Sequence, residues 1–321
     1  MESSALFEMK NKSLAISTLR VFAMISIVIC HLLQYYESPL SNVFNVGVQI
    51  FILISGFLYG RKIIERNNWG GWFLKRIERI YVPYLIFVVI VLLCYTAFAR
   101  DLLYPVGVIS YILAMQGFFS IGGLGYLWFV TAILLCYLIT PFLQWLKSFN
   151  HSLLFLILFC LLEWVDIHYF HLQGKYVALY AVGYFLANLN RVEFHLIGIL
   201  SVIACLVMWL SYGVQLIDGI SCPDLCSVSH CVEGLSVFYL FYLLFEIAHT
   251  KKKAPIALEL TDNYSYYVYL VHGVIILGPF GFMSITRSAL LDIIVVVIFI
   301  ILFSIILKES HCLLKRVYQQ S

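Results

Sequence analysis

Charge is scarce in this chain: Asp, Glu, Lys and Arg make up only 12% of its 321 residues. That is too little polar surface to cover a globule in water. With 63% hydrophobic residues and a mean hydropathy of +0.96, a soluble domain is excluded. The net charge of +3 is small and the basic residues are dispersed, which excludes a nucleic-acid-binding face. No heptad, solenoid period or low-complexity tract is present, and the longest polar interval, Gln215 to His230, is too short for a soluble domain. Cys30, Cys94, Cys136, Cys160 and Cys205 lie inside apolar segments, where a thiol packs as a small hydrophobe, so the nine cysteines are no disulfide framework. The first apolar run follows Lys10 and Lys12, but no small-residue cleavage site comes after it. A retained first helix is expected.

What is there is a series of apolar runs long enough, or nearly so, to cross roughly 30 Å of hydrocarbon. They occupy residues 14–36, 44–60, 80–99, 127–146, 152–167, 176–189, 194–213, 232–249, 264–281 and 288–307. The expectation is an all-α polytopic membrane protein of ten transmembrane helices, one domain over residues 1–321, with both termini cytoplasmic. This arrangement puts sixteen basic residues on the inner side, from Lys10 to Arg316, and leaves three outside: Arg100, Lys175 and Arg287. A further span at 104–119 would send Lys251, Lys252 and Lys253 outside and remove the bias. That run, which opens on Tyr104 and Pro105 and is followed by "SIGGLG", is expected to be re-entrant or interfacial.

Charges at membrane depth are costly and need a reason. In "LRVFAMISIVICH", Arg20 and His31 are separated by ten residues, all apolar except Ser26. Eleven steps of 100° end about 20° beyond three turns, so both side chains share one face of a helix, about 16 Å apart. They can look into one cavity; alternatively Arg20 snorkels to headgroups and His31 bonds a neighbouring helix. In "GGWFLKRIERIYVPY", Arg76 and Arg79 fall at i, i+3 on a short amphipathic helix that Pro83 should end. Two planar guanidinium forks suit phosphate oxygens, so the pair can hold a phosphorylated cofactor, or else set orientation or bind lipid headgroups.

These pieces form a series. The Arg and His of the first helix, then "FNVGVQIFILISGFLYGRK", the R-x-x-R at Arg76 and Arg79 with its proline, "YLWFVTAILLCYLITP", and "NYSYYVYLVH" ending at His272 resemble the acyltransferase 3 family of integral membrane acyltransferases. The resemblance implies a ten-helix bundle in a bacterial cytoplasmic (inner) membrane. It also implies transfer of acyl groups, usually acetyl from cytoplasmic acetyl-CoA, to hydroxyls of surface polysaccharides or glycolipids. Its functional positions fall here on Arg20, His31, Arg76 and Arg79. Such a transfer needs a base near neutral pH, and imidazole is suited to it. His31 is the candidate base, with Arg20 as its catalytic companion on the donor and Arg76 and Arg79 holding the donor. Gln34, Tyr35, Asn45 and Gln49 are candidates to orient the other ring nitrogen of His31.

Tyr269 and His272 share a helix face and are candidates for the substrate pocket, or for a place behind it. "FILISGF", with Ser55 and Gly56, is expected to permit close helix packing. Gly122, Gly123 and Gly125 should let backbone pass near a neighbour. Glu163, Asp166 and Glu246 can line the cavity or end at the membrane interface, and the interface is the expectation. Neither "CPDLCSVSHC" nor "HYFH" has a zinc spacing, so His168, His171 and His230 predict no metal site. A Cys222–Cys226 or Cys226–Cys231 disulfide remains open. The rival from another class is a transporter or exporter of a lipid-linked or small polar substrate, which would call for paired broken helices in two related halves.

Overall fold

The computed structural model describes residues 14–165, 175–218, 223–247 and 254–320, and every regular element among them is a helix. The helices are α1 (Leu14–Tyr35), α2 (Gly47–Gly60), α3 (Trp69–Phe98), α4 (Pro105–Ile112), α5 (Trp128–Lys147), α6 (Ser152–Val165), α7 (Lys175–Leu186), α8 (Arg191–Asp218), α9 (Pro223–Ile247), α10 (Ile256–Ile276) and α11 (Ala289–Gln320). Six stretches among the described residues are long and apolar enough to cross a membrane: Leu14–Tyr35, Ser41–Gly60, Trp69–Phe98, Gly125–Lys147, Arg191–Ser211 and Ala289–Val317. Three shorter ones, Ser152–Val165, Tyr176–Leu186 and Ser229–Phe245, are apolar too. At 1.5 Å per residue α4 reaches only about 12 Å, so the helical part of the run at 104–119 is too short to cross roughly 30 Å of hydrocarbon.

Polarity is distributed inside out. Leu93, Leu161, Leu206, Leu210 and Ile298 are exposed, whereas Gln49, Gln116, Glu163, Glu233, Asp262 and His272 are buried. Such a surface suits hydrocarbon, and such an interior keeps costly polar groups among partners. The chain forms two compact units, neither continuous in sequence: residues 1–26, 42–65 and 135–262 make the first, and residues 27–41, 66–134 and 263–321 the second.

In the first unit α2 packs most extensively on α7, and α7 in turn on α6. The glycines of "SGFLYG" explain the first contact. A Cβ on Gly56 would strike the Tyr180 carbonyl and the Tyr184 nitrogen, one on Gly60 the Tyr184 carbonyl, and one on Gly183 the Leu53 carbonyl at 2.5 Å. Small residues four apart let two backbones meet where lipid supplies no hydrophobic drive. Ser55 donates to the Phe51 carbonyl of its own helix at 2.8 Å, as expected of a packing residue rather than a nucleophile.

The second unit departs from the sequence expectation at Pro83, which lies inside the 30-residue α3 instead of ending a short helix. Proline removes the donor that the Arg79 carbonyl would use. Beside it the Tyr266 hydroxyl of α10 donates to the next carbonyl, that of Ile80, at 2.8 Å and ties the two helices together. Membrane helices tolerate proline where neighbouring helices pack against them. The irregular backbone after α4 is stapled by side chains. Tyr84 donates to the Tyr111 carbonyl at 2.6 Å, Gln116 to the Leu127 carbonyl at 2.7 Å and Thr131 to the Ala114 carbonyl at 2.7 Å. Gly123, at φ +77°, sits against Tyr95, Gly278 and Pro279, where an added Cβ would clash.

Gly56→Leu is expected to destabilise the first unit by about 3 kcal/mol or more, measured as a lower midpoint of thermal unfolding in detergent. Gly70→Ala, where a Cβ meets nothing within 4 Å, should leave that midpoint unchanged or slightly raised.

Candidate active site

Three elements of the second unit converge on one imidazole. Helix α1 carries His31, α10 carries Tyr269 and His272 one turn apart, and the turn Gly125–Leu127 before α5 carries Tyr126. His31 Nδ1 lies 2.9 Å from His272 Nε2, and the two rings are nearly parallel, 14° between planes with centroids 4.8 Å apart. His272 is completely buried. Its Nδ1 lies 2.7 Å from the Tyr269 carbonyl oxygen and 3.1 Å from that of Val268.

Tyr126 closes the group. Its ring stands edge-on to both imidazoles, at 70° to His272 and 77° to His31. Its hydroxyl donates to the Leu270 carbonyl at 2.6 Å, while Tyr269 donates to the Tyr126 carbonyl at 2.5 Å. The residue after His272 is Gly273, and a Cβ there would run into the Tyr126 ring. α10 thus presents a bare stretch of backbone against which the tyrosine lies, and the pair of reciprocal hydrogen bonds holds it there.

The two histidines differ in access. His272 has neither nitrogen turned to open space, whereas His31 is part-exposed and, among the described residues, nothing hydrogen-bonds its Nε2. Only His31 can meet a substrate directly. The partner of its Nδ1 is none of the four side chains that the sequence nominates. Gln34 is exposed, Tyr35 pairs with Ser284 at 2.5 Å, and Asn45 and Gln49 belong to the first unit. The partner is His272, which the sequence does single out, for the substrate pocket or for a place behind it.

Arg20 belongs to the first unit, where it meets a carboxylate that the sequence reading passed over. Its Nη1 lies 3.6 Å from Oδ2 of the buried Asp262, and Ser17 donates to the same oxygen at 3.1 Å. An aspartate opening the apolar run that ends in "YLVH" was the available signal, since an ionisable group on a membrane helix asks for a partner. Arg76 and Arg79 lie on the N-terminal turns of α3; the Arg76 guanidinium stands 5.9 Å from the Trp72 ring, and Arg79 is exposed. Between them Glu78 pairs with Lys315 at 3.0 Å.

Glu163 is buried, and the Cys231 thiol donates to its Oε1 at 3.6 Å. His230 pairs with Glu233 at 3.6 Å, and among the described residues no three His, Cys, Asp or Glu side chains gather as metal ligands. Asp166, His168, His171, Cys222 and the Lys251–Lys253 cluster lie outside the described residues, as do the side chains of Cys226 and Glu246.

No solved structure matches the chain. It is similar to a protein of Acidianus two-tailed virus named "Putative acetyltransferase", 25% identical over 277 residues that cover 84% of this chain and 76% of the relative. The family model described as an acyltransferase domain matches residues 13–309, a range that holds both histidines, Tyr126, Asp262 and the three arginines. The chain therefore belongs to the acyltransferase 3 family.

Proposed function

We propose that the protein is a membrane-embedded O-acyltransferase that moves an acetyl group from cytoplasmic acetyl-CoA to a hydroxyl of a cell-surface polysaccharide or glycolipid. The observation that carries this reading is His31: a part-exposed imidazole with one nitrogen engaged by His272, on the first helix of a chain of this family. The alcohol gives its proton to His31 as its oxygen attacks the thioester carbonyl. The tetrahedral intermediate then expels the thiolate, the C–S bond breaks, and the proton returns from His31 to sulfur. An ester and free CoA leave.

Phosphate-bearing CoA needs cations, and Arg76 and Arg79, one turn apart on α3, supply two. Arg20 also handles the donor, with Asp262 orienting its guanidinium. In this reading all the labelled helices except α4 cross the membrane, both termini are cytoplasmic and the family match over residues 13–309 supports one functional domain. The bias of basic residues supports that orientation in a bacterial cytoplasmic membrane. His31 lies toward the outer end of α1, so the acyl group is carried up from inside to an acceptor arriving from outside.

Membranes containing the protein, given radiolabelled acetyl-CoA, should label an extractable glycan. His31→Ala should insert normally and lower labelling by about a hundredfold or more; labelling at the native rate would remove His31 from the reaction, and no labelling by the native protein would favour a transporter. Asp262→Asn keeps the shape beside Ser17 but removes the charge that fixes Arg20. It should slow transfer by about tenfold or more, measured in the same assay.

A further inference from the structure

The His31–His272 contact settles more than the identity of a neighbour, because the partners of one ring dictate the proton positions on both. His272 Nδ1 faces two carbonyl oxygens, at 2.7 and 3.1 Å. Carbonyl oxygen only accepts, so this nitrogen must carry hydrogen. A neutral imidazole has one N–H, which leaves Nε2 of His272 as a lone pair. That lone pair lies 2.9 Å from His31 Nδ1, and two lone pairs at this distance would repel. The hydrogen between the rings therefore belongs to His31 Nδ1, and in neutral His31 the unprotonated nitrogen is Nε2, the one that no described residue engages.

We infer that His272 is the positioning residue of this enzyme: by accepting from His31 Nδ1–H it fixes the tautomer in which His31 Nε2 takes the proton of the attacking alcohol. The inference rests on the acyltransferase reading for the word alcohol, but its geometric part stands without it. A histidine side chain free in water favours the opposite form, with hydrogen on Nε2, which could not act as the base at that atom. His272 holds the rarer form in place.

The same chain of bonds serves the next step. When Nε2 gains the alcohol's proton, His31 becomes a cation whose Nδ1–H points at the His272 lone pair. His272 is polarised in turn, and its own Nδ1–H leans on the carbonyls of Tyr269 and Val268. A run of hydrogen bonds strengthened by polarisation spreads the positive charge into the backbone of α10 without moving a second proton. Carboxylates commonly fill such a place behind a histidine. Here a neutral ring fills it, so no full negative charge is buried at this depth.

The surroundings are built for rigidity. Tyr126 stands against both rings, is tied by its hydroxyl to the Leu270 carbonyl and by its carbonyl to Tyr269, and lies on the bare Gly273. A ring with this many constraints keeps its lone pair aimed in one direction.

The test reads the tautomer directly. Protein labelled with 15N-histidine, reconstituted in lipid, is examined by magic-angle-spinning NMR, and the His31 signals are identified by their loss in His31→Ala. A protonated Nδ1 and bare Nε2 on His31 are expected, reverting to the Nε2–H form in His272→Leu. In the labelled acetyl-CoA assay, with membranes of the expressing cell as acceptor, His272→Leu should lower kcat by about a hundredfold while KM for acetyl-CoA stays unchanged. His272→Gln should recover most of the loss, since its amide oxygen can accept from Nδ1–H and its amide nitrogen can donate to a carbonyl. Hydrogen on Nε2 of His31 in the native protein, or native kcat in His272→Leu, overturns the inference. Native protein that shows the stated tautomer but transfers no acetyl group would overturn the acyltransferase reading and leave the wiring of the two rings standing.

Discussion

A single nitrogen-to-nitrogen contact, His31 Nδ1 to His272 Nε2 at 2.9 Å, organises the second unit of this protein. Two imidazoles from helices far apart in sequence meet inside an apolar bundle, where an unmet polar group costs several kcal/mol. Burial of such groups is tolerable only when each atom is spoken for. His272 meets that condition fully, with both nitrogens engaged, and His31 meets it by half. The open half is where chemistry can occur, and the closed half is what gives that chemistry a direction.

The same accounting applies at other buried groups. Asp262 is buried beside Arg20 and Ser17, so a carboxylate and a guanidinium offset each other's desolvation in the first unit. The irregular stretch around α4 is held by Tyr84, Gln116 and Thr131, which donate to the carbonyls of Tyr111, Leu127 and Ala114. Where helices need only proximity, the sequence uses glycine instead: Gly56, Gly60 and Gly183 bring α2 against α7, and Gly273 brings α10 against Tyr126.

Much of this was legible before any coordinates. Lipid-crossing length and hydropathy are local properties, so over the described residues each expected apolar run falls largely on a helix, although the bounds shift, as where α3 begins at Trp69, α10 ends at Ile276 and α11 runs on to Gln320. Arg20 and His31 stood out because a charge or an imidazole in an apolar run is conspicuous alone. Their partners did not, because partnership is a property of the fold. Nothing in "LTDNYSYYVYLVH" says that Asp262 meets Arg20 or that His272 reaches His31 across 241 residues of chain. Pro83 is misleading for a related reason: whether a helix runs on through a proline depends on the helices packed around it, such as the one that brings Tyr266 to the Ile80 carbonyl, and the local sequence cannot foresee them.

The account stands on His31 acting as a base rather than as a packed ring, and chemical rescue tests that most directly. A His31→Gly variant leaves a space of the size of the missing ring, and imidazole added to the labelled acetyl-CoA assay can enter it. The account predicts transfer that is lost in the variant and returns in proportion to added imidazole. Native-rate transfer by His31→Gly with no imidazole present would contradict it.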